Sequence, residues 1–109
     1  MKTRNENITL IETINIIVSF TCGCIKITDN VNVKISLKTY QAYSISSKGC
    51  AGWSNDSYYI IDLGEWGSFG SNTKDIKEHD EEITMIIAEK KHNCIYNPHL
   101  KKYFKKSNF

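Results

Sequence analysis

The residues with the most chemical potential in this sequence are two closely spaced pairs, Cys22-x-Cys24 and His92-x-Cys94. Three thiolates and an imidazole suit a tetrahedral zinc ion, but zinc knuckles place about two to four residues between paired ligands. Here only one residue intervenes. If both segments are strands, residues two apart share a face, and that is the one geometry in which all four side chains meet. The plainer reading is of cysteines that behave as small buried hydrophobes beside an incidental surface histidine. We therefore expect no metal.

Gly64, Gly67 and Gly70 follow the apolar run Tyr58–Leu63 and precede a possible helix, the order of a phosphate-cradling loop. The spacing G-x-x-G-x-x-G is not a dinucleotide or P-loop pattern, and no lysine–serine pair follows. Trp66 and Phe69 fill positions where backbone amides need room. The next segment opens with acids, which oppose a phosphate at a helix N-terminus. Nucleotide binding and any other cofactor are not expected.

His79, His92 and His99 lie near no serine or cysteine in an arrangement that builds a nucleophile. A metal-independent ribonuclease needs only acid–base groups and cations, so His92 or His99 with the C-terminal lysines forms an alternative. Tyr96, Tyr103 and Phe104 interleave with those lysines and suit base stacking. The net charge of only +2 argues against nucleic acid as the main partner. We expect no catalytic residues.

A different pattern points to protein binding. Residues 75–82 (DIKEHDEE) hold five acids, whereas every charge from Lys90 onward is basic. Such segregation orients a partner before contact. Five of the six glycines and both tryptophans fall between Gly49 and Gly70, directly before the acids. Buried aromatics anchor interfaces. The expected partner-binding set is Asp75, Glu78, Asp80, Glu81 and Glu82 for charge, with Trp53, Trp66 and Phe69 as apolar anchors.

These residues need a scaffold. At 109 residues the chain makes one domain, residues 1–109. Ile11, Ile14, Ile17 and Val18 recur at helical spacing, and Gly23 stands where a helix stops, so the pattern predicts an N-terminal helix over about 8–21. Cys24–Thr28, a turn at Asp29-Asn30, and Val31–Tyr40 read as a hairpin, since Val31, Val33, Ile35 and Leu37 alternate with polar residues. Tyr58–Leu63 reads as a central strand, flanked by tight connections that bury Trp53 or Trp66. A second helix is expected near 73–90, with Ile83–Glu89 readable as helix or strand. After Pro98, residues 99–106 predict a short basic helix. The expected fold is α+β: an antiparallel sheet of four or five strands packed with an N-terminal helix and one or two C-terminal helices.

Lys2 and Arg4 precede an apolar stretch, but Glu6, Glu12 and Asn15 interrupt it and no small-residue cleavage site follows. No stretch approaches the ~20 apolar residues of a spanning helix. The expectation is a cytoplasmic chain without a membrane partner, its four cysteines reduced. An extracellular home would instead pair them as two disulfides, in any of three connectivities.

In size, in isoleucine-, asparagine- and lysine-rich composition, in mixed αβ pattern and in its acidic run, the chain resembles the small cytoplasmic immunity proteins of bacterial contact-dependent inhibition and related polymorphic toxin systems. The resemblance covers general character, not matched motifs, and carries over no residues. It implies a stoichiometric inhibitor, not an enzyme, whose partner is a cognate protein toxin, commonly a nuclease. The toxin's identity and the oligomeric state stay open.

Overall fold

The computed structural model describes residues 3–106, and strand accounts for 62% of it. In chain order the elements are β1 (Thr3–Cys22), β2 (Ile25–Ile45), β3 (Ala51–Asp62), β4 (Ser68–Ser71), α1 (Asp80–His92), β5 (Cys94–Asn97) and β6 (Lys102–Lys105). Short 3-10 turns cover Gly64–Trp66 and Ile76–His79. The strands form one six-stranded sheet in the order β4-β3-β2-β1-β6-β5. Every pairing is antiparallel except β1–β6, which is parallel and consists of Cys22 opposite Tyr103.

The expected α+β arrangement is overturned: the sheet is mixed, has six strands and carries one α-helix, toward its C-terminal side. The segment expected as an N-terminal helix is the strand β1. Its isoleucines, threonines and valine are β-branched, stiff at χ1, and favour a pleated surface. The apparent helical spacing arises because Ile11 and Ile17 interleave with the even-numbered alternation. Ile14, Ile16, Val18 and Phe20 pair with Val33, Val31, Asp29 and Ile27, and so face the core. An irregularity between Leu10 and Glu12 shifts the register, so Ile8 and Leu10 pair with Lys38 and Ser36 on the opposite face.

The turn expected at Asp29-Asn30 is absent. These residues lie inside β2, opposite Val18 and Ile17, and the chain reverses instead at Gly23-Cys24. Gly23 has φ 63°, the positive value a tight two-residue hairpin connection needs. Tyr58–Ile61 belongs to β3, whose neighbours are β2 and the four-residue β4, so it lies next to the sheet's edge. Ile83–Glu89 is helical.

The basic C-terminal helix is also absent. Tyr96 and Asn97 pair with Tyr103 and Lys102, closing a β5–β6 hairpin. The Asn97 side-chain oxygen accepts the backbone N–H of His99 at 2.9 Å and of Leu100 at 3.2 Å, an Asx turn that competes with helix initiation.

The core gathers under α1. Val18, Phe20, Val31, Val33, Ile35, Ile61 and Leu63 of the sheet region pack against Ile83, Ile87 and Ala88 of the helix. Val33, Ile35, Ile61, Ile83 and Ile87 are wholly buried. α1 carries Asp80, Glu81 and Glu82 in its first turn and Lys90, Lys91 and His92 in its last, matching the helix dipole at both ends. Asn93, at φ 55°, caps it in the left-handed conformation.

Beyond this core the first half of β1, the second half of β2 and the first half of β3 run on as a bare three-stranded arm. The molecule measures 58 × 30 × 25 Å with a radius of gyration of 18.3 Å, against about 13 Å for a compact domain of this length.

Candidate protein-binding surface

The acids follow one another along an exposed segment, the acidic ridge, from Asp75 through the Ile76–His79 turn into the first turn of α1. Asp75 precedes the 3-10 turn and accepts the Lys77 N–H at 3.1 Å, so it is partly occupied in capping. Glu78, Asp80, Glu81 and Glu82 are exposed. Asp80 and Glu81 line a shallow recess of about 370 Å³ whose other wall is β1, through Ile17, Val18 and Ser19, with Tyr103 beside them. Burial, then neighbouring Tyr96 and Glu81, raises the pKa of the Tyr103 hydroxyl.

This recess borders an open sheet edge. Among the described residues, β1 pairs with β6 only at Cys22, so the edge of β1 before that point has no strand beside it. Unpaired edge groups are a template for another strand. The Leu10–Glu12 irregularity and the charges of Arg4, Glu6 and Glu12 are the usual means of keeping such an edge from indiscriminate pairing.

Of the three expected aromatic anchors, Trp66 and Phe69 pack beside the acidic segment and Trp53 stands apart from it. Trp66, in the Gly64–Trp66 turn, and Phe69, in β4, are half-buried and pack on the core. Phe69 meets the buried His79 ring edge-on at 5.4 Å. His79 in turn contacts Ser71 Oγ at 2.9 Å and the Thr73 carbonyl at 3.1 Å through Nε2. Trp53 lies on the arm, opposite Tyr43. Tyr43 packs edge-on to its ring at 5.4 Å, and the Arg4 guanidinium sits 4.0 Å from its centre. Arg4 Nε also donates to the Gln41 side-chain oxygen at 3.0 Å, as Asn5 does at 2.7 Å. These polar groups make the arm a second surface, separate from the acidic ridge.

The four candidate ligands for a metal divide differently. Cys22 and Cys94 are buried and joined by a disulfide, with Cα atoms 6.3 Å apart. Cys24 and Cys50 are free and exposed. His92 bonds through Nε2 to Asp29 Oδ2, and Lys91 Nζ donates to Asp29 Oδ1 at 2.9 Å. The His92 hydrogen bond, followed by Lys91, holds the Asp29 carboxyl below its ordinary value against the opposing effect of burial. Among the described residues no group of histidine, cysteine and carboxylate side chains is placed to hold a metal.

The Asp29–His92–Lys91 cluster and the disulfide escaped sequence reasoning, because Asp29 read as a turn and the cysteines as reduced. One signal for the disulfide was present: Cys22 continues the even-numbered alternation Ile14, Ile16, Val18, Phe20 into the core. Among the described residues no helix is long and apolar enough to cross a membrane. No protein-family model, curated protein or solved structure matches this chain.

Proposed function

We propose that this chain is an antitoxin-type inhibitor that neutralises a cognate toxin, foremost a nuclease, by covering it. The observation that carries the reading is the recess in which Asp80 and Glu81 stand beside the open edge of β1. A partner strand added to that edge gains main-chain hydrogen bonds, and basic side chains on it meet the acidic ridge. A nuclease presents such cations because it must bind phosphate, and complementary charge accelerates and selects the encounter. Glu78, Glu81 and Glu82 are the principal charges of this interface, with Asp75 and Asp80 beside them. Trp53 serves a separate contact on the arm, and Trp66 and Phe69 support the ridge from the core.

The test is charge reversal of Glu78, Glu81 and Glu82 together, co-expressed with the product of a neighbouring large secreted toxin gene. We expect loss of protection and an affinity reduced about tenfold or more, with steeper loss at low salt. Unchanged protection and affinity would remove the ridge from the interface.

A second reading rests on one observation: His99, Lys105, Lys106, Tyr96 and Phe104 line a recess of about 700 Å³. Cations and aromatic faces there suit single-stranded nucleic acid. RNA cleavage by the purified protein, lost in His99→Ala, would favour this reading over inhibition. His92 pairs with Asp29 through one ring nitrogen, Nε2, an orientation an acid–base imidazole uses, and stays the alternative to His99.

The inhibitor reading carries a cytoplasmic home. Disulfides in that compartment are usually transient and catalytic or redox-sensing, so the Cys22–Cys94 bond would be an exchangeable one there.

A further inference from the structure

Three sulfurs share one recess at the end of the β1–β2 hairpin. The Cys22–Cys94 disulfide forms part of its wall, and the free, exposed thiol of Cys24 lines the same space of about 300 Å³. Ile25 and Ile27 give it an apolar side, and Lys105, which pairs with Cys94 across the β5–β6 hairpin, adds a cation. Cys22 and Cys24 are separated only by Gly23, whose surroundings are open and whose positive φ bends the chain. A bend of this kind brings residues two apart within the about 4.4–6.8 Å between Cα atoms that a disulfide takes.

We propose that Cys24 is the resolving thiol of an internal thiol–disulfide exchange that moves the Cys22–Cys94 bond to Cys22–Cys24. The Cys24 thiol gives its proton to solvent and its thiolate attacks Cys22 Sγ. A Cys24–Cys22 bond forms as the Cys22–Cys94 bond breaks. The electron pair leaves on Cys94 Sγ, which takes a proton from solvent, so the step is an isomerisation with no net oxidation or reduction. The Lys105 ammonium is placed to balance charge on the departing sulfur. The exchange removes the disulfide tie between β1 and the β5–β6 hairpin. Contacts that persist there include the Cys22–Tyr103 pairing, the Gly23 N–H to Tyr103 carbonyl bond of 3.1 Å, the Phe20–Tyr103 contact at 5.0 Å between ring centres, and the packing of Cys94 and Tyr103 on the core. This exchange is independent of the inhibitor reading.

The test uses the full chain carrying Cys50→Ser, so that no other free thiol competes. The oxidised protein is held without oxidant or reductant and quenched with excess N-ethylmaleimide, and its tryptic peptides are weighed. Residues 5–26 carry both Cys22 and Cys24, and residues 92–101 carry Cys94. We expect alkylated Cys94 together with an unalkylated 5–26 peptide containing an internal disulfide. Adding Cys24→Ser should reduce Cys94 labelling about tenfold or more while the 5–26 and 92–101 peptides stay linked, which shows that the variant folds and oxidises. Label on Cys24 alone overturns the proposal. So does Cys94 labelling that Cys24→Ser leaves unchanged, which would mark simple reduction, and so does label on Cys22, which would mark transfer to a Cys24–Cys94 bond.

Discussion

The two ends of the sheet are made from the same three strands and obey different physics. At one end β1, β2 and β3 lie under α1, and Ile35, Ile61 and Ile87 have no exposed surface. At the other end the same strands continue without the helix, leaving Ile8 59% and Leu10 57% exposed, with Ala42 the buried apolar residue of the arm. Strand formation in the arm therefore depends on β-propensity and cross-strand pairs. The covered end adds burial of a continuous apolar face. The hairpin ladder carries register shifts between Arg4 and Asn7 and between Leu10 and Glu12, and the second sends the apolar side chains to opposite faces on its two sides. A protein that needed only a stable core could have ended these strands at the helix.

The sharpest way to break this contrast is truncation on each side. Ile61→Ala or Ile87→Ala should cost about 2–5 kcal/mol, the loss of buried volume in a packed core. Leu10→Ala should stay within about 0.5 kcal/mol, as for surface changes. Urea unfolding of the three variants decides it. A Leu10→Ala cost comparable to Ile61→Ala would mean that the arm is covered in solution.

The tie at the covered end comes next. Cys22 and Cys94 are 72 residues apart, so their bond restricts a long stretch of the unfolded chain. Cys94→Ser should destabilise by roughly 2–4 kcal/mol, read by the denaturation midpoint with and without reductant. Reductant should remove most of the difference between the parent and the variant. If the parent keeps its stability when reduced, the β5–β6 hairpin is held by packing alone.

A smaller effect depends on acid. Asp29 joins β2 to the last turn of α1 through His92 and Lys91, and the His92 hydrogen bond leads in holding its carboxyl below the ordinary value of 3.8. A lowered folded-state value means stability that is fully present above the unfolded value and lost as pH falls through the folded one. Asp29→Asn should cost about 1 kcal/mol near neutral pH, the scale of a net hydrogen bond. Below the ordinary value, the parent and variant stabilities should converge. Parallel stability profiles below pH 3.8 would show that the ion cluster does not couple α1 to the sheet.

Legibility in the sequence followed the length of uninterrupted period. Val31–Leu37 alternates without fault and is strand. In β1 the apolar residues keep to even positions from Ile8 to Phe20 except at Glu12, while Ile11 and Ile17 add a helical spacing, and the register shift near Ile11 leaves no mark in that period. The acids of 75–82 were readable as an exposed group because charge density alone keeps them in water. Which aromatics would stand beside them was not readable, because that depends on β4 folding back to place Phe69 against His79 and on β3 running far enough to take Trp53 away. Asp29 read as a turn residue because its partners, Lys91 and His92, lie more than 60 positions away. The disulfide is non-local in the same sense, and so is the open β1 edge, which exists only because β6 meets β1 at one residue.

The smallest expected effect tests whether the arm has internal order of its own. Arg4 lies 4.0 Å from the centre of the Trp53 ring and donates to Gln41, and Tyr43 closes on the ring edge. An exposed cation–π contact contributes about 0.5–1 kcal/mol, too little to stabilise an arm but enough to hold one indole in place. In a Trp66→Phe background, where Trp53 alone reports, Arg4→Ala should leave the urea midpoint nearly unchanged. It should also make Trp53 fluorescence redder and more readily quenched by the neutral quencher acrylamide, since the guanidinium no longer shields that face. If emission and quenching do not change, Arg4 samples positions away from the ring, and the arm's surface is not preorganised for a partner. If they change as expected, then the bare end of the sheet, though it contributes little to stability, still presents one fixed aromatic–cation surface. That combination is what distinguishes a binding arm from an unfinished fold.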